Sequence, residues 1–186
     1  MSGFPLSTIR HSAAHVLAQA VQVLFKDVKL AIGPAIENGF YYDFELDTPL
    51  TEGDLETIEN EMRRIIKEGQ SFSQYNMSTS AAIDYFNDRG QDYKTDIIND
   101  LGVDTVSIYE NGPFTDLCRG PHVEKTSQIG AIKLLRVSGA YWRGSENNKM
   151  LQRVYGTAFK TPKELNVYLR QLEEAKKRDH RKIGKE

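Results

Sequence analysis

The sequence predicts an α+β fold in which a mostly antiparallel sheet packs with helices. Strand-like runs come in pairs joined by short turn signals, and helical periodicity is confined to separate runs at the start, middle and end of the chain. Ser7 stands as an N-cap ahead of a periodic run from Thr8 to about Phe25. In that run Ile9, Ala13, Val16, Leu17, Ala20 and Leu24 form an apolar stripe at spacings of three and four. At about 3.6 residues per turn, His11 and His15 fall on nearly the opposite side, beside Ala14, Ala18 and Gln22. The histidine-bearing face is therefore expected to line a cleft, where the small alanines leave room for a second wall or a ligand.

Val28 to Ile32 reads as a strand broken by Gly33-Pro34, and Glu37-Asn38-Gly39 as the turn before an aromatic strand, Phe40 to Phe44. Thr51 with Asp54 forms an acidic variant of the capping box, and Gly69 ends the helix it starts. A strand near Phe72 to Met77 precedes a short helix from about Ser80 to Arg89, stopped by Gly90. Gln91 to Leu101 reads as another helix and Thr105 to Tyr109 as a strand. Asn111-Gly112-Pro113 then breaks the pattern and introduces a loop around Cys118. Ile132 to Val137 and Leu151 to Phe159 read as two strands joined through Ser138 to Gly144. Thr161-Pro162 opens a last helix running to about Arg178, whose tail from Lys176 to Lys185 has few apolar anchors.

With 186 residues, 39% hydrophobic and 27% charged, the chain is long enough to bury a sizeable core. It has no stretch near roughly 18 consecutive apolar residues, so no membrane partner is expected. Met1 to Leu6 is too short and poorly patterned for a secretory signal. One cysteine cannot form an internal disulfide, which favours a reducing, cytoplasmic setting. The net charge of −2 is uneven: residues 170–186 carry a balance of +3 and the preceding 169 a balance of −5. That distribution argues against nonspecific coating of nucleic acid and leaves a locally basic groove open.

The chemistry concentrates in two motifs, His11-Ser12-Ala13-Ala14-His15 and Cys118-Arg119-Gly120-Pro121-His122. Together they use the only cysteine and three of the four histidines. Residues four apart on a helix share a face, so His11 and His15 present two imidazoles to one point. The second motif brings a thiol and a third imidazole to the same point. The pair suits zinc ligation, or a metal-free site in which imidazoles act as bases on water. Ser12 and Ala13 stand where a HExxH metalloprotease needs its glutamate, which removes that reading. Asp116 adds a carboxylate able to orient an imidazole or hold an ammonium group, although a turn-capping aspartate reads almost as well. Nothing local lifts Lys94 above a solvated lysine. Ser138 to Gly144, with Lys133, Arg136, Lys149 and Arg153 nearby, reads either as a groove for a nucleotide end or as a packed aromatic turn.

These motifs, with Ala31-Ile32-Gly33-Pro34, Gly39-Phe40-Tyr41-Tyr42-Asp43, Asp116-Leu117-Cys118, Gly139-Ala140-Tyr141-Trp142-Arg143-Gly144, Asn147 to Arg153 and Lys177 to Lys182, resemble the editing region of bacterial-type threonyl-tRNA synthetases. The resemblance covers the chain from about Ile9 onward. It implies an editing domain over residues 1–160 and a linker helix over 161–186 leading toward an absent aminoacylation core. The family's preceding ubiquitin-like domain is missing too, so the chain looks like an excised or free-standing editing domain that does not make aminoacyl-tRNA by itself. The implied reaction is hydrolysis of the ester in mischarged Ser-tRNA(Thr). A synthetic pocket built for threonine cannot strongly reject serine, because a methyl group is worth only about 1–3 kcal/mol.

Carried over by motif, His11, His15, Lys94, Asp116, Cys118 and His122 are the implied catalytic residues. His11 would activate water and Lys94 assist through the ester or ribose. His15 and His122 would hold water and substrate, Asp116 would read serine's amino or hydroxyl group, and Cys118 would shape the pocket. Tyr42, Gly139, Ala140, Tyr141 and Arg143 are implied in substrate binding, and the tRNA(Thr) acceptor end carrying serine and a downstream catalytic domain are the implied partners. The related alanyl-type editing proteins bind zinc through the same HxxxH and CxxxH pattern, whereas the threonyl branch works without it. No cofactor is thus required, and zinc at His11, His15, Cys118 and His122 stays open. Two rivals stand beside this reading: a noncatalytic RNA-binding or zinc-stapled structural module, and a zinc-dependent hydrolase of another ester.

Overall fold

Helix α1 (Leu6–Leu24) threads the centre of the protein, which a computed structural model describes over residues 3–184. It begins one residue before the expected cap: Pro5 occupies the N-cap, Ile9 N–H donates to Pro5 O at 3.1 Å, and Ser7 lies inside the first turn. Burial is continuous from Thr8 to Val21 except at His11, so the helix is enclosed on every side rather than amphipathic. Ala13, Ala14, Ala18 and Ala20 explain this, because residues that small let neighbours close in from opposite directions. Leu24, expected in the stripe, is instead 37% exposed where the helix runs out of neighbours.

After α1 come β1 (Lys29–Leu30), β2 (Ala35–Ile36) and β3 (Gly39–Glu45), with Asn38 at φ 61° turning β2 into β3. Helix α2 (Glu52–Glu68) starts on the expected capping box: Thr51 Oγ1 accepts the Asp54 N–H and Asp54 accepts the Thr51 N–H. Gly69 ends it in the left-handed region at φ 68°. Then follow β4 (Phe72–Ser78), α3 (Thr79–Asp88), α4 (Asp92–Leu101), β5 (Thr105–Asn111) and β6 (Phe114–Leu117). The chain closes with β7 (Ala131–Tyr141), β8 (Met150–Phe159) and α5 (Pro162–Ile183).

The strands form two antiparallel sheets. One has the order β1-β3-β8-β7 with β2 also on β3, and the other the order β4-β5-β6. The α+β fold with antiparallel sheet is thus the observed one. Alternation places Phe40, Tyr42 and Phe44 on the buried face with Val154 and Ala158, against Ile9, Ala13, Val16 and Leu17. Helices α3 and α4 cover the smaller sheet around Phe86, Ile98, Val106 and Ile108.

Two expectations change. Phe114 to Leu117, read as loop, is a strand paired with Ile108 to Asn111; four residues are too few to show a period. Ser138 to Tyr141, read as a connection, continues β7 by pairing with Met150 to Arg153. Helix α5 is capped by Thr161, runs to Ile183 rather than Arg178, and buries Leu165; beyond Ala175 it is exposed. Lys185, the end of the predicted basic tail, lies outside the described residues. Among those residues no helix is long and apolar enough to cross a membrane.

Candidate active site

Two segments distant in sequence meet beside α1. The helix contributes His11, Ser12 and His15, and the stretch following β6 contributes Cys118 to His122. Cys118 Sγ lies 3.4 Å from His11 Nε2 and 3.2 Å from His122 Nε2, and accepts the Gly120 N–H at 3.2 Å. The rings of His11 and His122 stack with centroids 4.4 Å apart. Gly120, at φ 76°, is required here: a Cβ would strike the phenol of Tyr109.

Donor and acceptor accounting orders the hydrogens of the cluster. His11 Nδ1 faces Pro121 O at 3.2 Å, an acceptor only, so Nδ1 carries the hydrogen and Nε2 keeps its lone pair. The single thiol hydrogen goes to that lone pair. His122 Nε2 must then donate to sulfur, which leaves His122 Nδ1 accepting from Ser12 Oγ at 2.9 Å. Ser12 Oγ in turn accepts the Val123 N–H at 3.0 Å, so its own hydrogen is available for His122. Burial pushes the Cys118 thiol up to about 11, against the opposing Gly120 N–H bond. Burial first, then neighbouring His15 and His11, hold His122 far below the usual histidine range. At neutral pH the pair is a thiol and an uncharged imidazole.

His15 turns elsewhere. It is 3% exposed, and its Nε2 donates to Asn111 Oδ1 at 2.7 Å. Asn111 Nδ2 donates to Gln19 Oε1 and Gln70 Oε1 at 2.7 and 2.8 Å, which fixes the amide. Burial lowers His15 to about 4, so it is neutral with Nδ1 as its remaining acceptor. The donors of His11, Cys118 and His122 lie within 4.8 Å of one another and form a group able to hold a metal ion, whereas His15 is not part of it. The expected four-ligand set is thus reduced to three. Their fit is good: His11 Nε2 is left bare by the Pro121 carbonyl, and Ser12 Oγ can accept from His122 as readily as donate.

The opposite end of the site is charged. Lys94 Nζ lies 2.8 Å from Asp116 Oδ1 with both side chains buried, and donates to the Tyr42 hydroxyl at 2.8 Å. Tyr42 donates to Asp116 Oδ2 at 2.9 Å, and the Leu117 N–H to Asp116 Oδ1 at 2.8 Å. Burial and then Asp116 keep the Tyr42 phenol well above its ordinary value. Gly33 makes room for this ring, since a Cβ there would enter it.

A cleft of about 630 Å³ joins the two ends, lined by His11, His15, Tyr42, Lys94, Asp116 and Cys118 together with Ile32, Pro34, Leu101, Val103 and Arg119. His122 stands behind Cys118. Of the residues implied in substrate binding only Tyr42 lines the cleft. Gly139, Ala140 and Tyr141 are strand residues, with Gly139 packed on Met150, and Arg143 pairs with Asp100 of α4. Sequence reading passed over Ser12, Asn111, Gln19 and Gln70. Their signal was slight: Asn111 opened a turn motif, and polar residues on a buried helix are informative only once its enclosure is seen.

Residues 106–155 match the family model of the threonyl and alanyl tRNA synthetase second additional domain. The chain is 55% identical over 181 residues to a threonine–tRNA ligase of Pelobacter propionicus, covering 97% of this chain and 28% of that protein. It is 57% identical over 180 residues to that of Clostridium novyi, and 59% over 179 residues to that of Oleidesulfovibrio alaskensis, each time across 96% of this chain and 28% of the relative. The chain thus carries the threonyl and alanyl tRNA synthetase second additional domain over residues 106–155 and aligns along nearly its whole length with one part of threonine–tRNA ligases. It spans about 28% of the length of the relatives it matches.

Proposed function

We propose that this chain hydrolyses the ester joining serine to the 3′ end of tRNA(Thr), as the editing module of a threonine–tRNA ligase. The observation that supports it best is His11 Nε2, which lines the cleft with its ring turned so that Nδ1 meets the Pro121 carbonyl, 3.4 Å from a thiol it can exchange for water. In the reaction His11 takes a proton from water as the water oxygen bonds to the ester carbonyl. Lys94 spends two N–H groups on Asp116 and Tyr42 and has a third for the developing oxyanion. As the carbon–oxygen bond to ribose breaks, the proton on His11 passes to the ribose oxygen. Asp116 keeps one lone pair on Oδ2 for serine's ammonium group, since its other contacts are taken. His15, fixed by Asn111, offers Nδ1 as a further acceptor.

A zinc ion held by His11, Cys118 and His122 would supply Lewis acidity and a more acidic bound water. Helix α5, exposed beyond Ala175, serves as the link to the downstream catalytic domain, and the setting is the cytoplasm.

Deacylation of Ser-tRNA(Thr) and Thr-tRNA(Thr) side by side, with and without a chelator, tests this reading. Faster loss of serine than of threonine, unaffected by chelation, is expected. Equal turnover of both esters contradicts the editing assignment. Unfolding on chelation without hydrolysis points to a structural staple, and hydrolysis abolished by chelation to a zinc enzyme.

A further inference from the structure

Helix α4 shares its core with the smaller sheet, through Ile98, yet it delivers Lys94 to a tyrosine of the larger one. Its 10 residues are too few for a helix to hold its place unaided, so contacts from outside fix it. Lys94, Ile97 and Leu101 recur at spacings of three and four and line the cleft. About 100° around the helix runs a second row, Tyr93 and Asp100, two turns apart. The connection from Trp142 to Lys149, between β7 and β8, grips that second row.

Trp142 sets its ring edge-on to Tyr93 with centroids 4.9 Å apart, and the two pack with Ala31 and Leu151. The Tyr93 hydroxyl donates to Glu45 Oε1 at 2.7 Å, and Lys149 Nζ reaches the same oxygen at 2.8 Å. At the other end of the row, Asp100 pairs with Arg143, whose guanidinium lies 5.1 Å from the centre of the Trp142 ring. The connection is also tied to itself. The Trp142 N–H donates to Lys149 O at 2.9 Å, and Asn148 Nδ2 donates to Trp142 O at 2.8 Å. Arg143 sits at φ 54°, a left-handed conformation that a residue other than glycine adopts at a cost, and such strain collects where a position is held for function.

We propose that the connection between β7 and β8 is a clamp on α4, and that Trp142 is a positioning residue that sets Lys94 against the ester. The proposal rests on the esterase reading and gives the segment from Gly139 to Gly144 a role that needs no contact with RNA. Lys94 Nζ meets Asp116 of the smaller sheet and Tyr42 of the larger one, each at 2.8 Å. A shift of α4 by about 1 Å stretches these bonds and turns the third N–H from the oxyanion, a misplacement that costs up to about 10²-fold in rate.

Hydrolysis of Ser-tRNA(Thr) by Trp142→Ala and Trp142→Phe tests the clamp. Trp142→Ala is expected to lower kcat about 10–100-fold with KM kept, because the group it displaces acts on the developing charge. Trp142→Phe keeps an aromatic ring against Tyr93 and recovers most of the rate. A second readout needs no activity: acetylation of Lys94 by acetic anhydride, followed by mass spectrometry. Lys94 is 3% exposed and reacts slowly in the parent chain. Trp142→Ala should speed its labelling about tenfold, the upper worth of one aromatic pair, while amide exchange in α1 stays unchanged. Tyr93→Phe keeps both rings and loses only the bond to Glu45, so it shows the same effects at smaller size and carries the test if Trp142→Ala does not fold. Unchanged kcat with unchanged Lys94 protection overturns the clamp, as does a raised KM with kcat kept, which would mean that Trp142 touches the substrate. Absence of any hydrolysis by the parent chain sinks the esterase reading instead, and Lys94 labelling then decides the clamp by itself.

Discussion

Lys94, Asp116 and Tyr42 bind one another, with the Leu117 N–H also on Asp116, and leave one Lys94 N–H and one Asp116 Oδ2 lone pair for a ligand. At the other end of the cleft, His122 Nε2 donates to the Cys118 sulfur, and the thiol hydrogen is all that occupies the His11 Nε2 lone pair. The first assembly is rigid and internally neutral. The second keeps a lone pair that water can reach. A buried ion pair gives the cleft its shape and field, and an undercommitted imidazole gives it reactivity.

Breaking the closed trio has the largest expected cost. Lys94→Met leaves Asp116 buried without its cation and should lower stability by about 3–5 kcal/mol in urea unfolding. Removing both charges with Lys94→Met and Asp116→Leu should recover much of that loss. A single variant as stable as the parent would mean the pair is not closed in solution.

Acid sharpens the contrast from the other side. His15 stays neutral in the fold down to about 4, while the unfolded chain takes up its proton near 6.5. Stability is therefore fully kept above pH 6.5 and falls as the pH drops toward 4, by up to about 3 kcal/mol from this residue alone. His122, lowered for the same reason, adds in the same direction. Urea midpoints at pH 7, 5 and 4 give the slope, and His15→Gln should flatten it.

Asn111→Ala strips His15 Nε2–H of its acceptor and costs about 1–3 kcal/mol. Nitrogen NMR of His15 reports the more specific effect, a shift away from the Nε2–H tautomer. The smallest change is expected outside the cleft. Arg143→Ala breaks a pair with Asp100 in which both side chains are well exposed, and stability should move by less than about 1 kcal/mol.

Elements announced by local chemistry were legible in the sequence. Thr51 and Asp54 marked a helix start through hydrogen bonds they make within one turn, and Gly69 marked its end through a backbone conformation only glycine adopts easily. The convergence of His11 with Cys118 and His122 was legible because these scarce residue types fall into two matching motifs. Features decided by distant partners were hidden. Lys94 looks like any surface lysine until Asp116 is placed 2.8 Å away. The stripe on α1 suggested a one-sided helix, because four alanines look neutral in a pattern and reveal their meaning only when walls close on them. Tyr141 and Arg143, implied in substrate binding, stand at the end of β7 and just beyond it and do not line this cleft, a placement set by the β7–β8 pairing rather than by local pattern.

The central claim is that His11 supplies the base, and its most direct measurement is the rate of Ser-tRNA(Thr) deacylation by His11→Ala against the parent chain. His11 is half-exposed, so the fold should survive with an unchanged Tm. The account predicts a loss of about 10²–10⁴-fold in kcat, the usual worth of a positioned proton acceptor. A His11→Ala chain that hydrolyses the ester at the parent rate would contradict it.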